Sequence, residues 1–331
     1  MQHIRVASTD IANAVEPAAA LLRDGGIVAF PTETVYGLGA DVFNKTAIRR
    51  IFAAKGRPPD DPLIVHVRPQ WPLDQVFAHT TALERRLLDK FWPGPLTLIG
   101  PKAAAIPSIV TAGLPDIAVR APSHPVAIAL LDAVGGPVAA PSANRFSYVS
   151  ATTAQHVIDD LGDSLDAIVD AGPSTAGIES TVVRLRGSAL EVLRHGATTI
   201  DAITTAVPDI SEVVELTESS AASPGQLLTH YSPNTATLAL APGTAIDRLE
   251  LKGSVVLVGY DESIRPETHR FVSLGSRSNL DGVARTLYDT LRTVDSVNAD
   301  TILIELTGAG GIGRALDDRI RRAASGRVEG R

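Results

Sequence analysis

Short apolar runs alternate along the chain with longer stretches whose apolar residues recur at helical spacing. The run IVAF at 27–30 has the β-branched content of a buried strand, and LIVHV at 63–67 is a second such run. Between them, Ile48, Ile51 and Phe52 lie on one face of a helix. Strands that alternate with helices predict an α/β fold.

Two apolar runs end at a proline that polar residues follow. The first strand stops at Pro31, which has no N–H for ladder pairing, and residues 32–36 bring Thr, Glu, Thr and Tyr. A strand at 138–140 stops at Pro141, just before Ser142-Ala143-Asn144. Open α/β folds bind ligands at the carboxyl ends of strands. These loops have two interpretations, a ligand site or an ordinary connection to the next helix.

Two cations follow the first predicted helix. Asn44 suits the N-cap, Gly56 suits the left-handed position after the last turn, and Pro58 stops the helix from continuing. Lys55 and Arg57 are thereby fixed on a tight turn. They either complement the last helical carbonyl groups or bind a phosphate or carboxylate. The chemistry of the turn alone leaves both interpretations open.

Two further helices are marked by capping boxes, in which a Thr side chain and an acid or amide three residues later cap each other's backbone. Thr81 with Glu84 starts a helix that runs towards Phe91. Thr152 with Gln155 predicts a helix over 153–161.

The last third of the chain differs in pattern. Residues 208–234 lose periodicity and gain Ser, Thr, Glu and Pro, which predicts a linker. Beyond it, strands at 255–258 and 302–304 flank an amphipathic helix, which predicts a small α/β domain with a parallel strand pair. The predicted divisions are 1–207, a linker or lid at 208–235, and 236–331. The tail from 325 to 331 is predicted to be disordered.

Composition narrows the classes of protein. The chain has 331 residues, 44% of them hydrophobic, which is enough for two domains with sizeable cores. It has no cysteine, so disulfides, thiolate metal sites and a cysteine nucleophile are excluded. A net charge of −7 argues against a general nucleic-acid binder. No long apolar stretch and no signal-peptide pattern are present, so we expect a cytoplasmic protein without membrane contact.

Two glycine-containing motifs are similar to sequence patterns of nucleotide-binding loops. Residues 308–313 fit the dinucleotide pattern G-x-G-x-x-G, but no second strand with an acid follows about 20 positions on. Residues 39–46 nearly fit a P-loop, with Asn44 in place of the glycine before the lysine. We interpret the first as a tight strand-to-helix turn and Asn44 as a helix cap.

A set of ordered blocks carries a family resemblance. They are PTETVYGLG at 31–39, KGRP at 55–58, PLIVH at 62–66, FWPGPLT at 91–97, Val119-Arg120, APSAN at 140–144, GIESTV at 177–182, SPG at 223–225 and HYSP at 230–233. In this order they resemble the threonylcarbamoyl-AMP synthases with a YrdC-like domain, in their longer two-domain form. The blocks run across most of the chain, and their combination is highly specific.

The resemblance implies a fold and a reaction. The fold is a twisted, open, mixed sheet with a second, smaller Rossmann-like α/β domain joined by a long linker. The reaction joins L-threonine, bicarbonate and ATP into threonylcarbamoyl-AMP and pyrophosphate, a nucleotidyl transfer. The product serves N6-threonylcarbamoyladenosine formation at position 37 of tRNA (t6A37) by a downstream transferase, without tight tRNA binding by this chain.

Carried over residue by residue, the resemblance assigns two groups of side chains. L-Threonine is held by Thr34, His66, Arg120 and Ser180. ATP is held by Lys55, Arg57, Asp61, Ser142, Asn144, Thr152, Arg194 and Tyr231, and Lys55 and Arg57 are also the catalytic residues. Mg²⁺ is implied, held mainly by the phosphates.

Several assignments keep an alternative. His66 has the alternative of a hydrogen-bonded core histidine, Thr152 that of a helix cap and Tyr231 that of packing. Asp61 either helps to bind Mg²⁺ or faces solvent. Replacing Lys55 or Arg57 by alanine is expected to lower turnover with little change in thermal unfolding.

Two other functions remain possible on the sequence. One is a YrdC-like RNA-binding module, and the other is a carbamoyl-adenylate hydrolase or transferase that uses the same cleft. The linker, with Pro224 and Pro233 beside its polar-aromatic block, is predicted to close over the loaded site and exclude water.

Overall fold

The computed structural model describes residues 1–6, 10–216, 231–246, 249, 251, 253–263 and 269–329. The chain forms two compact units. Within the described residues, the first unit holds 1–146, 150–175 and 179–216, and the second holds 147–149, 176–178 and the residues from 231 onward. No helix in the described ranges is long and apolar enough to cross a membrane.

The first unit is built on an 11-stranded mixed sheet with the order β1-β8-β2-β3-β7-β4-β6-β5-β9-β10-β11. Its strands are β1 (Gln2–Arg5), β2 (Val28–Phe30), β3 (Gly37–Asp41), β4 (Ile64–His66), β5 (Leu96–Pro101), β6 (Asp116–Arg120), β7 (Val138–Ala139), β8 (Ala167–Asp170), β9 (Thr181–Arg186), β10 (Ala189–Arg194) and β11 (Glu212–Glu215). Its helices are α1 (Ile11–Arg23), α2 (Lys45–Lys55), α3 (Ala82–Phe91), α4 (Pro125–Val134), α5 (Ala154–Leu161) and α6 (Ile200–Ala206). Parallel and antiparallel pairs occur together, so the predicted mixed sheet is confirmed.

The two faces of this sheet carry different side chains. Val65 and Val119 pack into the large core formed with α2, α3, α5 and α6. Because side chains alternate along a strand, their neighbours His66 and Arg120 point to the opposite face. On that face, Ile64 and Ala118, two residues before them in the same strands, belong to a small apolar cluster. The period of the strands therefore places His66 and Arg120, two of the four predicted threonine ligands, on one face.

The first capping predictions are confirmed. The Asn44 side chain accepts hydrogen bonds from two backbone N–H groups at the start of α2. Gly56 ends the helix in the left-handed conformation at φ 63°, which suits a residue without Cβ. Thr81 and Glu84 form the reciprocal capping box of α3.

The capping box at Thr152 was wrong by one residue. Thr153 is the N-cap of α5, because its side chain accepts the hydrogen bond from the backbone N–H of His156. Gln155 does not close a box, since its amide nitrogen donates to Asp159, 2.7 Å away. Both adjacent threonines suit an N-cap, although only Thr152 has a Gln three positions later. The chain direction at the helix start selects Thr153.

The linker prediction was also wrong at its beginning. Residues 212–215 form β11, which pairs parallel with β10 at the edge of the sheet. The sequence EVVE is mostly exposed there, so it lacks the apolar signal of a buried strand. Residues 217–230, including the predicted lid block at 223–225 and His230, lie outside the described residues.

The second unit contains a five-stranded sheet with the order β14-β13-β15-β12-β16. Its strands are β12 (Ala236–Leu240), β13 (Val255–Gly259), β14 (Arg270–Ser273), β15 (Thr301–Glu305) and β16 (Val328–Glu329), with helices α7 (Leu280–Asp295) and α8 (Ile312–Ala323). All of its pairs are parallel, and β13 with β15 is the predicted parallel pair. The prediction that the tail is disordered was wrong for its described part, since β16 pairs with β12 at the sheet edge.

The G-x-G-x-x-G motif forms the turn between β15 and α8. The buried carboxylate of Asp317 accepts the backbone N–H of Thr307 at 2.6 Å and that of Gly308 at 3.1 Å. An anion-binding loop needs its N–H groups for the ligand. Here a side chain of the same chain already occupies them, in agreement with a structural turn.

Candidate active site

Lys55 is buried and bonded to the loop that follows β7. Its ammonium nitrogen lies 2.5 Å from the carbonyl oxygens of both Ser142 and Asn144. Burial, followed by the neighbouring charge of Arg57, holds the pKa of Lys55 well below its usual value. The carbonyl groups at the end of α2 are instead met by the backbone N–H groups of Gly56 and Arg57. The helix-end interpretation of Lys55 is therefore wrong.

Arg57 is held beside the predicted nucleotide residue Asp61. The guanidinium forms an ion pair with the Asp61 carboxylate at 2.9 Å and donates to the Pro62 carbonyl oxygen at 2.7 Å. Burial raises the pKa of Asp61. Its second carboxylate oxygen is buried without a hydrogen-bond partner, so Asp61 does not simply face solvent.

Arg120, at the end of β6, is fixed by three neighbours. Its guanidinium donates to the Thr34 hydroxyl at 2.7 Å and to the Gly94 carbonyl oxygen at 3.3 Å. The Glu33 carboxylate lies 2.6 Å from its third nitrogen. Glu33 also accepts the backbone N–H of Ser123 at 3.1 Å. The assignment from sequence missed Glu33, although its place in the polar loop 32–36 was a usable signal.

His66 lies beside Arg120, because β4 and β6 pair in parallel with these two residues in register. Burial and the Arg120 charge lower the pKa of His66 to about 3, so the imidazole is neutral at physiological pH. Its Nδ1 atom is buried without a hydrogen-bond partner. Buried polar atoms are normally paired. An unpaired nitrogen on the face that carries Arg120 favours a ligand-binding histidine over a core histidine.

Ser180, a predicted threonine ligand, contacts Arg194, a predicted ATP ligand. Its hydroxyl lies 2.7 Å from that of Thr97 and accepts from Arg194 at 3.1 Å. Arg194 also donates to the Ser180 carbonyl oxygen. Gly196 allows the chain to pass close by, since a Cβ there would lie 2.4 Å from the backbone of residues 179–181. Thr97 is a second residue that the assignment from sequence missed.

The polar loops meet through the backbone. Ala143 donates its N–H to the Tyr36 carbonyl oxygen at 2.8 Å, which sets loop 141–144 beside loop 32–36. The Thr152 carbonyl oxygen accepts the N–H of Ser174.

The first unit contains all the predicted site residues except Tyr231.

Tyr231 belongs to the second unit. It is buried, with its ring 5.6 Å from that of Tyr288 and the Arg319 guanidinium 5.5 Å above it. Its packing role is thus present, and its contact with ATP stays a prediction.

Two family models match the chain. A model described as telomere recombination (Sua5, YciO and YrdC) covers residues 20–196, and one described as the threonylcarbamoyl-AMP synthase C-terminal domain covers 197–325. The threonylcarbamoyl-AMP synthase of Bacillus subtilis is 41% identical over 325 residues, which span 95% of this chain and 94% of that protein. The chain belongs to the threonylcarbamoyl-AMP synthase family.

Other members of the family agree with this assignment. The Pyrococcus abyssi threonylcarbamoyl-AMP synthase is 35% identical over 325 residues and 94% of each chain. The crystal structure of P. abyssi Sua5 complexed with L-threonine matches with a TM-score of 0.89 and 33% identity, covering 99% of this chain and 98% of that one. The two-domain α/β fold of the family is therefore shared along the whole length.

Proposed function

We propose that the protein is an L-threonylcarbamoyladenylate synthase, which converts L-threonine, bicarbonate and ATP into threonylcarbamoyl-AMP and pyrophosphate. The observation that carries the proposal is the buried site around Arg120, in a chain that shares 41% identity with a synthase over nearly its full length. A buried guanidinium with a neutral imidazole beside it suits the carboxylate and the polar groups of an amino acid.

L-Threonine is proposed to bind at the ends of β4 and β6. Arg120 pairs with its carboxylate, while Thr34 and Ser180 offer hydroxyl groups. The free Nδ1 of His66 offers a hydrogen bond to the substrate, and which ring nitrogen carries the proton depends on the tautomer. These contacts hold the amine in one orientation, which is how positioning lowers a barrier.

ATP is proposed to bind along the Lys55–Arg57 turn and loop 142–144. Arg57 supplies positive charge to the phosphates, and Lys55 holds the loop that carries Ser142 and Asn144. Thr152 and Arg194 complete the proposed contacts of the first unit. Stabilisation of phosphate charge is the main catalytic contribution expected of such a site.

The chemistry needs no nucleophile from the protein. The ammonium group of threonine gives up a proton, and bicarbonate takes up a proton as it loses water to give CO₂. The uncharged amine then forms a bond to the carbon of CO₂ and loses a second proton, which yields a carbamate. A carbamate oxygen then attacks the α-phosphorus of ATP, and the bond to pyrophosphate breaks. This agrees with a chain that has no cysteine and with catalysis by positioning and charge.

Mg²⁺ fits this site as a companion of ATP. Within the described residues, no three His, Cys, Asp or Glu side chains come together as a metal site. Mg²⁺ commonly binds through one or two carboxylates together with substrate phosphates. The buried, unbonded oxygen of Asp61 is the protein ligand that we propose. Bound there, the metal ion would neutralise phosphate charge.

The product is a reactive mixed anhydride, and we propose that a tRNA threonylcarbamoyl transferase consumes it to form N6-threonylcarbamoyladenosine. Pyrophosphate release tests the proposal, measured with each of L-threonine, bicarbonate and ATP omitted in turn. Release should require all three. Equal release without threonine would contradict the synthase and favour an ATP hydrolase, whereas RNA binding without turnover would favour an RNA-binding module.

A further inference from the structure

We propose that Glu33 makes the amino-acid pocket electrically neutral around Arg120, and that the pocket thereby selects a zwitterion over an anion or a cation. The inference rests on the proposed function, which assigns threonine to Arg120. It adds a specificity-determining residue whose effect on the substrate passes through Arg120.

The ion pair is deeply buried. Glu33 is 6% exposed and Arg120 is 4% exposed, and the two charged groups lie 2.6 Å apart. The second carboxylate oxygen of Glu33 accepts the N–H of Ser123, which fixes the acid on the protein side of the pair. Thr34 and Gly94 fix Arg120 in the same way. The two side chains are therefore held together in the pocket wall.

Two histidines interact electrostatically with this pair. Burial is the largest cause that lowers the pKa of His66, next to Arg120, and that of His124, next to Glu33. Both imidazoles are therefore mainly neutral at pH 7.5. The charge of the pair and its two histidines sums to zero, with Arg120 balanced by Glu33.

Net charge is costly in such a place. A buried charge without a counter-charge is strongly disfavoured. If Arg120 stood alone, an anionic ligand would neutralise it and bind best. With Glu33 beside it, an anion leaves one negative charge in excess and a cation one positive charge in excess. An α-amino acid with an uncharged side chain adds one charge of each sign and leaves no excess charge around the Glu33–Arg120 pair.

Three ligands test this on the unaltered full-length protein. L-Threonine is the zwitterion, (R)-3-hydroxybutyrate is the same molecule without the ammonium group, and L-threoninol lacks the carboxylate. Calorimetric or competition titration at pH 7.5 should find both ions at least 100-fold weaker than L-threonine. Binding of (R)-3-hydroxybutyrate within tenfold of L-threonine would overturn the inference, because it would show an unbalanced Arg120.

Glu33→Gln removes the counter-charge and should shift selectivity towards the anion. The ratio of the L-threonine affinity to the (R)-3-hydroxybutyrate affinity should fall at least tenfold relative to the unaltered protein. Glu33→Asp keeps the charge and should keep the ratio, even if both affinities drop. A purely structural role of Glu33 changes both affinities by the same factor, so an unchanged ratio would also overturn the inference.

Glu84→Gln is the matched control. Glu84 is also 6% exposed and also accepts a backbone N–H, but it caps α3 and does not contact Arg120. It should leave the affinity ratio unchanged. If the Glu33→Gln variant does not fold, the titration of the unaltered protein with the three ligands still tests the inference. If the unaltered protein binds no L-threonine at all, the proposed function fails, whereas normal threonine binding with equal anion binding contradicts the role of Glu33 alone.

Discussion

The ammonium group of Lys55 lies 2.5 Å from the carbonyl oxygen of Asn144, 89 residues further along the chain. The same group reaches the Ser142 carbonyl oxygen. These two hydrogen bonds therefore stabilise the conformation of loop 142–144. Two of the three N–H donors of Lys55 are thus used within the protein, and we propose that Lys55 contributes to ATP binding largely through this support.

This geometry revises the expectation that Lys55 can be replaced without loss of stability. Lys55→Met leaves two carbonyl oxygens without their donor, and an unsatisfied buried group costs roughly 1–3 kcal/mol. We expect lower unfolding free energy together with weaker ATP binding. Tryptophan fluorescence measures the first, since the only two tryptophans, Trp71 and Trp92, lie in the first unit. Lys45→Met, at the exposed start of α2, is the control and should change neither quantity.

His66 should make the stability of the first unit sensitive to acid. Its pKa is about 3 in the folded protein against 6.5 as its ordinary value, so the unfolded chain binds the proton first as the pH falls. Stability from this group is complete above pH 6.5 and is lost between 6.5 and 3. At pH 5 the free energy of unfolding is therefore lower by about 2 kcal/mol, because each pH unit below 6.5 removes about 1.36 kcal/mol.

Urea unfolding at pH 7.5 and at pH 5, followed by tryptophan fluorescence, measures this loss. His66→Gln should reduce the difference between the two pH values by that amount. His79→Gln, at an exposed position, should not. An identical pH dependence in His66→Gln would mean that the imidazole titrates normally.

Substitutions of the adjacent residues Thr152 and Thr153 should have different effects, one on activity and the other on stability. Thr153→Ala removes the N-cap of α5 and should cost about 1 kcal/mol of stability with kcat/KM nearly unchanged. Thr152→Ala should raise the KM for ATP, according to its proposed role, and leave the helix cap intact. Steady-state kinetics and chemical denaturation of both variants check this, and the reverse pattern would return Thr152 to a capping role.

Asp317 should be essential for the turn before α8. Asp317→Ala leaves the N–H groups of Thr307 and Gly308 without their acceptor, and we expect a loss of roughly 1–3 kcal/mol in the second unit. Hydrogen exchange over residues 301–323 should accelerate. The tryptophan-detected unfolding of the first unit serves as the internal control. Unchanged exchange protection would show that these bonds contribute little.

Much of the architecture could be predicted because its signals are local. The caps at Asn44, Gly56 and Thr81 follow from hydrogen bonds between residues close in sequence, and each was correct. Alternation along strands is equally local, so the strand that carries His66 was predicted from its apolar run. Edge strands were harder. The exposed β11 and β16 have little apolar pattern, and they exist because a neighbouring strand offers hydrogen bonds.

The sequence by itself determined several of the helices and buried strands, the caps at Asn44, Gly56 and Thr81, and the ordered blocks that identify the family. Only the tertiary structure decided which side chains in those blocks face one another. Thr34 and Arg120 are separated by 86 residues, and Lys55 and Ser142 by 87. Such contacts depend on strand order and on the direction of long side chains, which short-range patterns do not encode. The pairing of Glu33 with Arg120, and with it the neutral charge of their pair, is a property of the folded chain.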